Sequence, residues 1–332
     1  MRSNPYTGQP DKAFWKKTVA ITHYMDLTEL ASLPCLDPGI KIGTAGSCFA
    51  QHVTRHIKQQ GLTFLDAEPR PENVAEDRAQ DYGYGMYSCR YGNVYSVKQL
   101  LQLIREAYGI ITVRDIVWEK GGRFYDSQRP SITPEGYSSA EEVLSSRKEH
   151  LSRVKFFFEN VDLFVFTLGL TECWVNSDGE VFPTAPGVTA GEYDPDKYHL
   201  HNSTHSEILK DLNEFWSILK SRNVGAPRMI LTVSPVALAA TATDKHVLVA
   251  NTYSKSVLRA VAGEICDSSY DIYYFPSYEI INCHPSRAMF YEPDLRSVNP
   301  AGVSFVMKHF FNSQVSPEVI TDENILCDED DI

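Results

Sequence analysis

The fold of this chain is decided by the stretch Ile40-Lys41-Ile42-Gly43-Thr44-Ala45-Gly46-Ser47-Cys48-Phe49-Ala50-Gln51-His52. Its first half has the apolar character of a short strand. Its second half opens a helix whose apolar residues recur every four positions, at Phe49, Val53 and Ile57. Gly61 is typical of a helix end, and the chain from 62 to 65 again resembles a strand. The pattern predicts a strand–turn–helix–strand unit.

The joint between the predicted strand and helix falls on Gly46-Ser47-Cys48. A glycine permits a sharp reversal of the backbone there, and the next side chains are held at the edge of the sheet. Cys48 would stand at a helix start, where N–H groups and the helix dipole favour negative charge. Such a cysteine has a lowered pKa and is a better nucleophile. The alternative is that Cys48 is a small buried apolar residue.

Composition limits the class of protein. The 332 residues are 43% hydrophobic and 22% charged, which is ordinary for a globular chain of one large or two smaller domains. The net charge of −12 argues against nucleic-acid binding, because phosphate contacts need clustered Lys and Arg.

The longest apolar run, 161–170, is too short to cross a bilayer, and 1–17 lacks the apolar core of a secretory signal. Seven cysteines without a CxxC spacing fit reduced thiols. We therefore expect a cytoplasmic protein without a nucleic-acid or membrane partner, and its oligomeric state stays open.

Strands and helices alternate along most of the chain, which predicts a mostly parallel, doubly wound sheet of five strands. We expect an N-terminal arm over 1–39, a single domain over 40–315, and an acidic, disordered tail over 316–332. The domain would carry insertions around 66–136 and 175–205.

Several polar residues follow predicted strands. Glu172 comes after the buried strand 161–168, at the edge where open α/β sheets bind ligands. His199, His201 and His205 are close in sequence but lack the spacing of a zinc site, so we expect no metal and no cofactor. Lys255 and Arg259, one helical turn apart, would either bind an anion or be solvated, and solvation is the preferred interpretation.

Further blocks accompany the Gly46–Ala50 pentapeptide. They are Tyr84-Gly85-Met86-Tyr87, Tyr91-Gly92-Asn93-Val94-Tyr95, Leu168-Gly169-Leu170-Thr171-Glu172, Thr232-Val233-Ser234-Pro235-Val236, Ser254-Lys255-Ser256-Val257-Leu258-Arg259 and Phe275-Pro276-Ser277-Tyr278-Glu279. With these blocks in order, the chain resembles the GSCFA-domain family. That family is similar to the SGNH (GDSL-like) hydrolases, which are three-layer α/β/α esterases and acyltransferases. The resemblance implies an activity on O-acyl groups of glycans or small esters.

The resemblance also assigns roles to residues. The nucleophile of the SGNH Gly-Asp-Ser pattern is its third residue, which is Cys48 here, with Ser47 as the alternative. Oxyanion and substrate contacts would come from Gly46, Gly169, Thr171 and Glu172, and from Gly85 or Gly92 with Asn93, unless these two glycines only form turns. Apart from the resemblance, His201 would either line the cleft or make ordinary hydrogen bonds. Thr171 replaces the asparagine of the SGNH Gly-x-Asn-Asp block, which weakens the expected oxyanion contact.

The base is the point at which the chain departs from the SGNH pattern. The expected Asp-x-x-His matches Asp294-Leu295-Arg296-Ser297, so that Ser297 stands where histidine is expected. Three interpretations stay open: His246 or His284 is the base, a helix-start thiolate needs little base, or catalysis has been lost. In the last case the domain would be a carbohydrate- or ligand-binding module, with the tyrosines of 82–95 either stacking on sugars or packing in the core.

Overall fold

The computed structural model describes residues 4–34, 36–37 and 39–311, so the predicted acidic tail lies outside the described residues. The strands are, in chain order, β1 (Ile42–Gly46), β2 (Val117–Lys120), β3 (Arg123–Asp126), β4 (Leu163–Leu168), β5 (Glu172–Asn176), β6 (Val181–Phe182), β7 (Tyr198–Asn202), β8 (Arg228–Val233) and β9 (Ile272–Phe275). The α-helices are α1 (Phe49–Gln59), α2 (Val97–Ala107), α3 (Ala140–Asn160), α4 (His205–Arg222), α5 (Val247–Ser268), α6 (Ser277–Asn282) and α7 (Pro300–Phe310).

The central sheet is parallel and has the order β1-β4-β8-β9. It has four strands where the sequence predicts five. The segment around Phe64 makes only a single parallel bridge to Ile42, fixed by hydrogen bonds from Ile42 N to Thr63 O and from Leu65 N to Ile42 O, each 2.8 Å. One bridge is too short to count as a strand, and it lies in the segment 62–65, which was predicted as one of the five strands.

β4 is buried along its whole length, as its continuous apolar sequence predicts. Because side chains alternate along a strand, Phe164, Phe166 and Leu168 join a core cluster with α2, α3, α4 and α5. Leu163 and Val165 join a second cluster with α1, α6 and α7. Each fully buried side chain of this size stabilises the fold by roughly 2 kcal/mol.

Two small antiparallel sheets lie in the predicted insertions. β2 pairs with β3, and β5 pairs with both β6 and β7. The predicted insertion around 175–205 thus contains the short strands β6 and β7. Trp118, Phe182 and Tyr198 from these sheets share a separate apolar cluster.

The N-terminal segment contacts α6 and α7. Tyr24 and Leu27 are buried in the same cluster as those helices, and Tyr24 Oη donates to Ile280 O. Over the described part of the chain, no helix combines the length and the apolar character needed to cross a bilayer.

Candidate functional site

The Gly46 turn is a backbone reversal that only glycine tolerates. Gly46 has φ of 140°, and a Cβ there would lie 2.6 Å from Thr167 O on the neighbouring strand. Ser47 N donates to Thr167 O at 3.4 Å, and Cys48 is the N-cap residue of α1. The predicted strand–glycine–helix joint is therefore present, with Cys48 at the start of the helix.

Both nucleophile candidates are shielded from solvent. Ser47 is 3% exposed and Cys48 is 6% exposed. The first turn of α1 closes onto them, since Ala50 N donates to Ser47 O at 2.9 Å and Gln51 N donates to Cys48 O at 3.1 Å. The Ser47 hydroxyl is buried without a hydrogen-bond partner. A water-excluding reaction centre and a structural turn would both have this burial.

Asn93, a candidate for an oxyanion or substrate contact, lies beside this turn. Tyr87 Oη is 2.5 Å from Asn93 Oδ1 and 3.2 Å from Ser47 O. Val94 N donates to Gly46 O at 2.9 Å, so the 87–94 segment is attached directly to the end of β1. Tyr87, Tyr91 and Tyr95 are buried, which matches the core-packing interpretation for these three, whereas Tyr82 and Tyr84 are half-buried and lie against Arg78 and Arg90.

The two glycines proposed for the oxyanion hole lie in different places. Gly92, with φ of 67°, makes the turn before Asn93, and its α-carbon faces Ile132. Gly85 O accepts from Lys58 Nζ at 3.0 Å, beside the last turn of α1. Because a helix rises 1.5 Å per residue, Lys58 is about 15 Å along α1 from Cys48. Gly92 is thus the nearer of the two to the candidate site.

The end of β4 lies against the same turn. A Cβ on Gly169 would be 3.2 Å from Ser47 Cβ, so a larger residue would crowd the turn. Gly169 N and Leu170 N both donate to Tyr95 O, at 3.1 and 3.0 Å. Thr171 is fully buried, and its hydroxyl has no hydrogen-bond partner.

Glu172 begins β5 and turns towards the loop after β8. Its carboxylate accepts from Thr241 Oγ1 at 2.7 Å and from Ala242 N at 3.4 Å. His201, on β7, pairs with Cys173 in the β5–β7 ladder and has Nε2 3.2 Å from Glu207 Oε1. The structure thus gives Glu172 and His201 contacts with neighbouring loops and helices.

The two predicted bases are exposed and engaged elsewhere. His246 caps α5, with Nδ1 accepting from Leu248 N at 3.2 Å. His284 follows α6 in a short 3₁₀ turn and stacks on Trp15, with ring centroids 5.4 Å apart. Neither of these contacts includes Cys48.

The segment Asp294–Ser297, where Asp-x-x-His is expected, forms a small network of local hydrogen bonds. Asp294 Oδ2 accepts from the Ser297 hydroxyl at 2.7 Å, and Oδ1 accepts from Arg296 N and Ser297 N, each at 2.9 Å. Burial alone would raise the pKa of Asp294, but these hydrogen bonds outweigh it and lower the pKa. Asp294 therefore orients a serine here, and not an imidazole.

Two buried residues near the turn, His52 and Lys255, were not placed at the candidate site by the sequence. His52 lies one helical turn after Cys48, is 6% exposed, and has its ring 5.5 Å from that of Phe49. The four-residue spacing from Cys48 is the signal that could have identified it. Lys255 is only 1% exposed and donates to Gly169 O at 2.8 Å, so the solvated interpretation of this lysine is wrong.

Arg259, the other half of the predicted pair, lies apart from this site. Its guanidinium pairs with Glu279, with Nε 2.5 Å from Oε1, and stacks over Tyr274. His205 Nε2 is 3.3 Å from Glu264 Oε2. Within residues 4–34, 36–37 and 39–311, no three His, Cys, Asp or Glu side chains are placed to hold a metal ion.

Comparison with known proteins identifies one family. The model of the GSCFA family matches residues 41–310, a range that includes every strand and α-helix from β1 to α7. None of the curated proteins compared with the chain matches it.

Proposed function

The chain belongs to the GSCFA family, and on that premise we propose that it is an acyl-ester hydrolase or acyltransferase with its nucleophile on the Gly46-Ser47-Cys48 turn. The observation that supports this most is the position of Cys48, which is the N-cap residue of α1 and lies two residues after β1 of the parallel sheet. N–H groups at a helix start stabilise a thiolate and an oxyanion. O-acyl groups on glycans or small esters are the proposed substrates.

The fold that we propose is SGNH-like and three-layered. The four strands with the Phe64 bridge would be its five-stranded sheet. The two core clusters, one with α2–α5 and one with α1, α6 and α7, support outer helical layers on the two faces. We also propose a cytoplasmic location, because none of the five described cysteines is in a disulfide.

The proposed reaction has two displacements. His52 takes the proton of the Cys48 thiol, and the thiolate attacks the ester carbonyl carbon, so that a C–S bond forms and the C–O bond breaks as the alcohol leaves with the proton that His52 returns. Water or an acceptor hydroxyl then gives its proton to His52 and attacks the thioester, and the C–S bond breaks to release the Cys48 sulfur, which recovers that proton, and the acyl product. His52 is the proposed base ahead of His246 and His284, because it is buried one turn from Cys48 while the other two are exposed.

Hydrolysis of p-nitrophenyl acetate tests this proposal. Cys48→Ala should abolish turnover, and His52→Gln should lower it by roughly 10²- to 10⁴-fold, the usual contribution of a general base. His246→Gln and His284→Gln are the matched controls and should retain turnover. Equal turnover by Cys48→Ala and the wild type would refute the role of Cys48, and loss on Ser47→Ala alone would move the nucleophile to Ser47.

The alternative proposal is a non-catalytic carbohydrate- or ligand-binding module. It is favoured by Ser297 in the place of histidine and by the complete burial of the Thr171 hydroxyl. Isothermal titration calorimetry with O-acetylated and deacetylated sugars separates the two functions. Saturable binding without turnover supports the module, whereas release of acetate that depends on Cys48 excludes it.

A further inference from the structure

Lys255 is a charged residue that the proposed reaction leaves without a role. It lies in the middle of α5 and is 1% exposed, and its Nζ donates to Gly169 O at 2.8 Å. An ammonium group loses strong hydration on burial, so fully buried lysines are rare unless neighbouring groups stabilise the charge. Lys255 thus lies buried at the C-terminal end of β4, where the Gly169 carbonyl oxygen accepts from it and favours its ammonium form.

The neighbouring residue on α5 holds the other end of the same segment. Ser254 is buried, and its Oγ accepts from Thr171 N at 3.1 Å. Lys255 therefore binds the first residue of the Gly169–Thr171 turn, and Ser254 binds the last. Tyr95 O binds Gly169 N and Leu170 N, so the turn is fixed from two elements.

This fixed turn packs against Ser47, the residue that precedes Cys48. A Cβ placed on Gly169 would lie 3.2 Å from Ser47 Cβ. Lys255 is therefore separated from the Gly46–Cys48 turn by a single residue. In the low dielectric of a buried site, a charge at that separation acts with little screening.

Other titratable groups face the same region. His52 lies on α1, and Tyr87 and Tyr95 lie in the segment before α2. Glu172 is the nearest carboxylate along β5, and its oxygens accept hydrogen bonds from Thr241 and Ala242.

We infer that Lys255 is a positioning residue that fixes the Gly169–Thr171 turn and whose ammonium stabilises negative charge on the Gly46–Cys48 turn. The inference rests on the proposed function only for its consequence, which is faster acyl transfer. The stabilisation of the anion is a property of the resting protein and can be measured without any substrate.

Titration of the Cys48 thiol tests the inference. Thiolate absorbance at 240 nm is followed against pH, and the difference between each protein and its Cys48→Ser counterpart isolates Cys48. The full-length wild type is compared with Lys255→Met, Lys255→Gln and Lys255→Arg. Lys210→Met is the control, since Lys210 is an exposed lysine on α4.

We expect Lys255→Met to raise the Cys48 midpoint by about one pH unit, the effect of one charge roughly 10 Å away at an effective dielectric of about 20. Lys255→Arg should restore most of the shift, and Lys210→Met should cause none. Lys255→Gln keeps a donor for Gly169 O without the charge, so it serves if the methionine variant does not fold.

An unchanged midpoint in a folded neutral variant would overturn the inference, even if its thermal stability falls, because a purely structural lysine would behave in that way. Absence of ester turnover in the wild type would count against the proposed function alone. A shifted midpoint would support the role of Lys255 in that case as well.

Discussion

At the scale of single residues, the candidate site depends on positions where one atom more would not fit. Gly46 has φ of 140° and lies against the backbone of Thr167, and Gly169 lies against Ser47. The sequence identifies Gly46 as the turn because a glycine stands between strand-like and helix-like patterns. It does not identify the packing of Gly169 on Ser47, because this contact joins residues more than 100 positions apart.

Gly46→Ala should destabilise the protein by about 2–4 kcal/mol, because it adds backbone strain to a clash with Thr167 O. Urea unfolding at neutral pH measures the change. Gly61→Ala is the matched control, since Gly61 has φ of 68° with nothing within 4 Å of its Cβ position, and we expect it to cost about 1 kcal/mol. Equal losses in the two variants would show that the contact with Thr167 is unimportant.

Ser47→Ala should leave stability unchanged or raise it by up to about 1 kcal/mol, because the Ser47 hydroxyl is buried without a hydrogen-bond partner. If Cys48 is the nucleophile, this variant also keeps its ester turnover. Parallel urea unfolding and p-nitrophenyl acetate assays check both expectations. A clear loss of stability would mean that the hydroxyl makes a hydrogen bond in solution.

At the scale of helices and strands, periodic segments could be predicted and contact-dependent ones could not. β4, β8 and α1 have long apolar patterns that define them locally. β6 has two residues and forms only because β5 offers it a partner. The segment around Phe64 is strand-like in sequence, but its pairing with β1 is limited to the single bridge between Phe64 and Ile42.

The start of α4 shows a local signal that the sequence does carry. Ser203 or Thr204 is expected to cap this helix, and in the structure Thr204 does so in a reciprocal capping box with Glu207. Glu207 Oε2 accepts from Thr204 N at 2.7 Å, and these contacts lower the pKa of Glu207.

Thr204→Ala should therefore cost about 1 kcal/mol of unfolding free energy, whereas Thr204→Ser should cost little. Chemical denaturation of the two variants measures this difference. Ester turnover should be the same in both, since the cap is not part of the Gly46–Cys48 turn. A serine variant as unstable as the alanine variant would argue against the capping hydroxyl.

At the scale of the whole molecule, a buried ion network joins the first insertion to α3. Arg129 Nε is 2.7 Å from Asp126 Oδ2, and Arg147 Nη1 is 3.3 Å from Asp126 Oδ1. His150 Nδ1 is 2.7 Å from Glu68 Oε2. The sequence gives no signal for this network, because its members come from 68, 126–129 and α3.

The network predicts a loss of stability in acid. Burial and Arg129 lower the pKa of His150 to about 4, so the folded state keeps this imidazole neutral while an unfolded chain protonates it near pH 6.5. Stability should fall as the pH drops from about 6.5 towards 4, with about 2 kcal/mol lost by pH 5. Burial alone would raise the pKa of Glu68, but His150 and Arg129 lower it to about 2, so its contribution is lost only below about pH 4.5.

Urea unfolding at pH 7 and pH 5 measures this effect. In His150→Gln, the difference in unfolding free energy between the two pH values should shrink by about 2 kcal/mol. His199→Gln, which removes an exposed histidine on β7, is the control. The same pH dependence in wild type and His150→Gln would place the acid sensitivity elsewhere.

The proposed reaction requires that Cys48 is acylated, and trapping that intermediate is its most direct test. The protein is mixed with p-nitrophenyl acetate, quenched in acid and digested, and the peptide containing Gly46–Ala50 is sequenced by mass spectrometry before and after neutral hydroxylamine. We expect an acetyl group on Cys48 that hydroxylamine removes, as for a thioester. An unmodified Cys48 under conditions where the intact protein turns over the ester would contradict the proposed reaction.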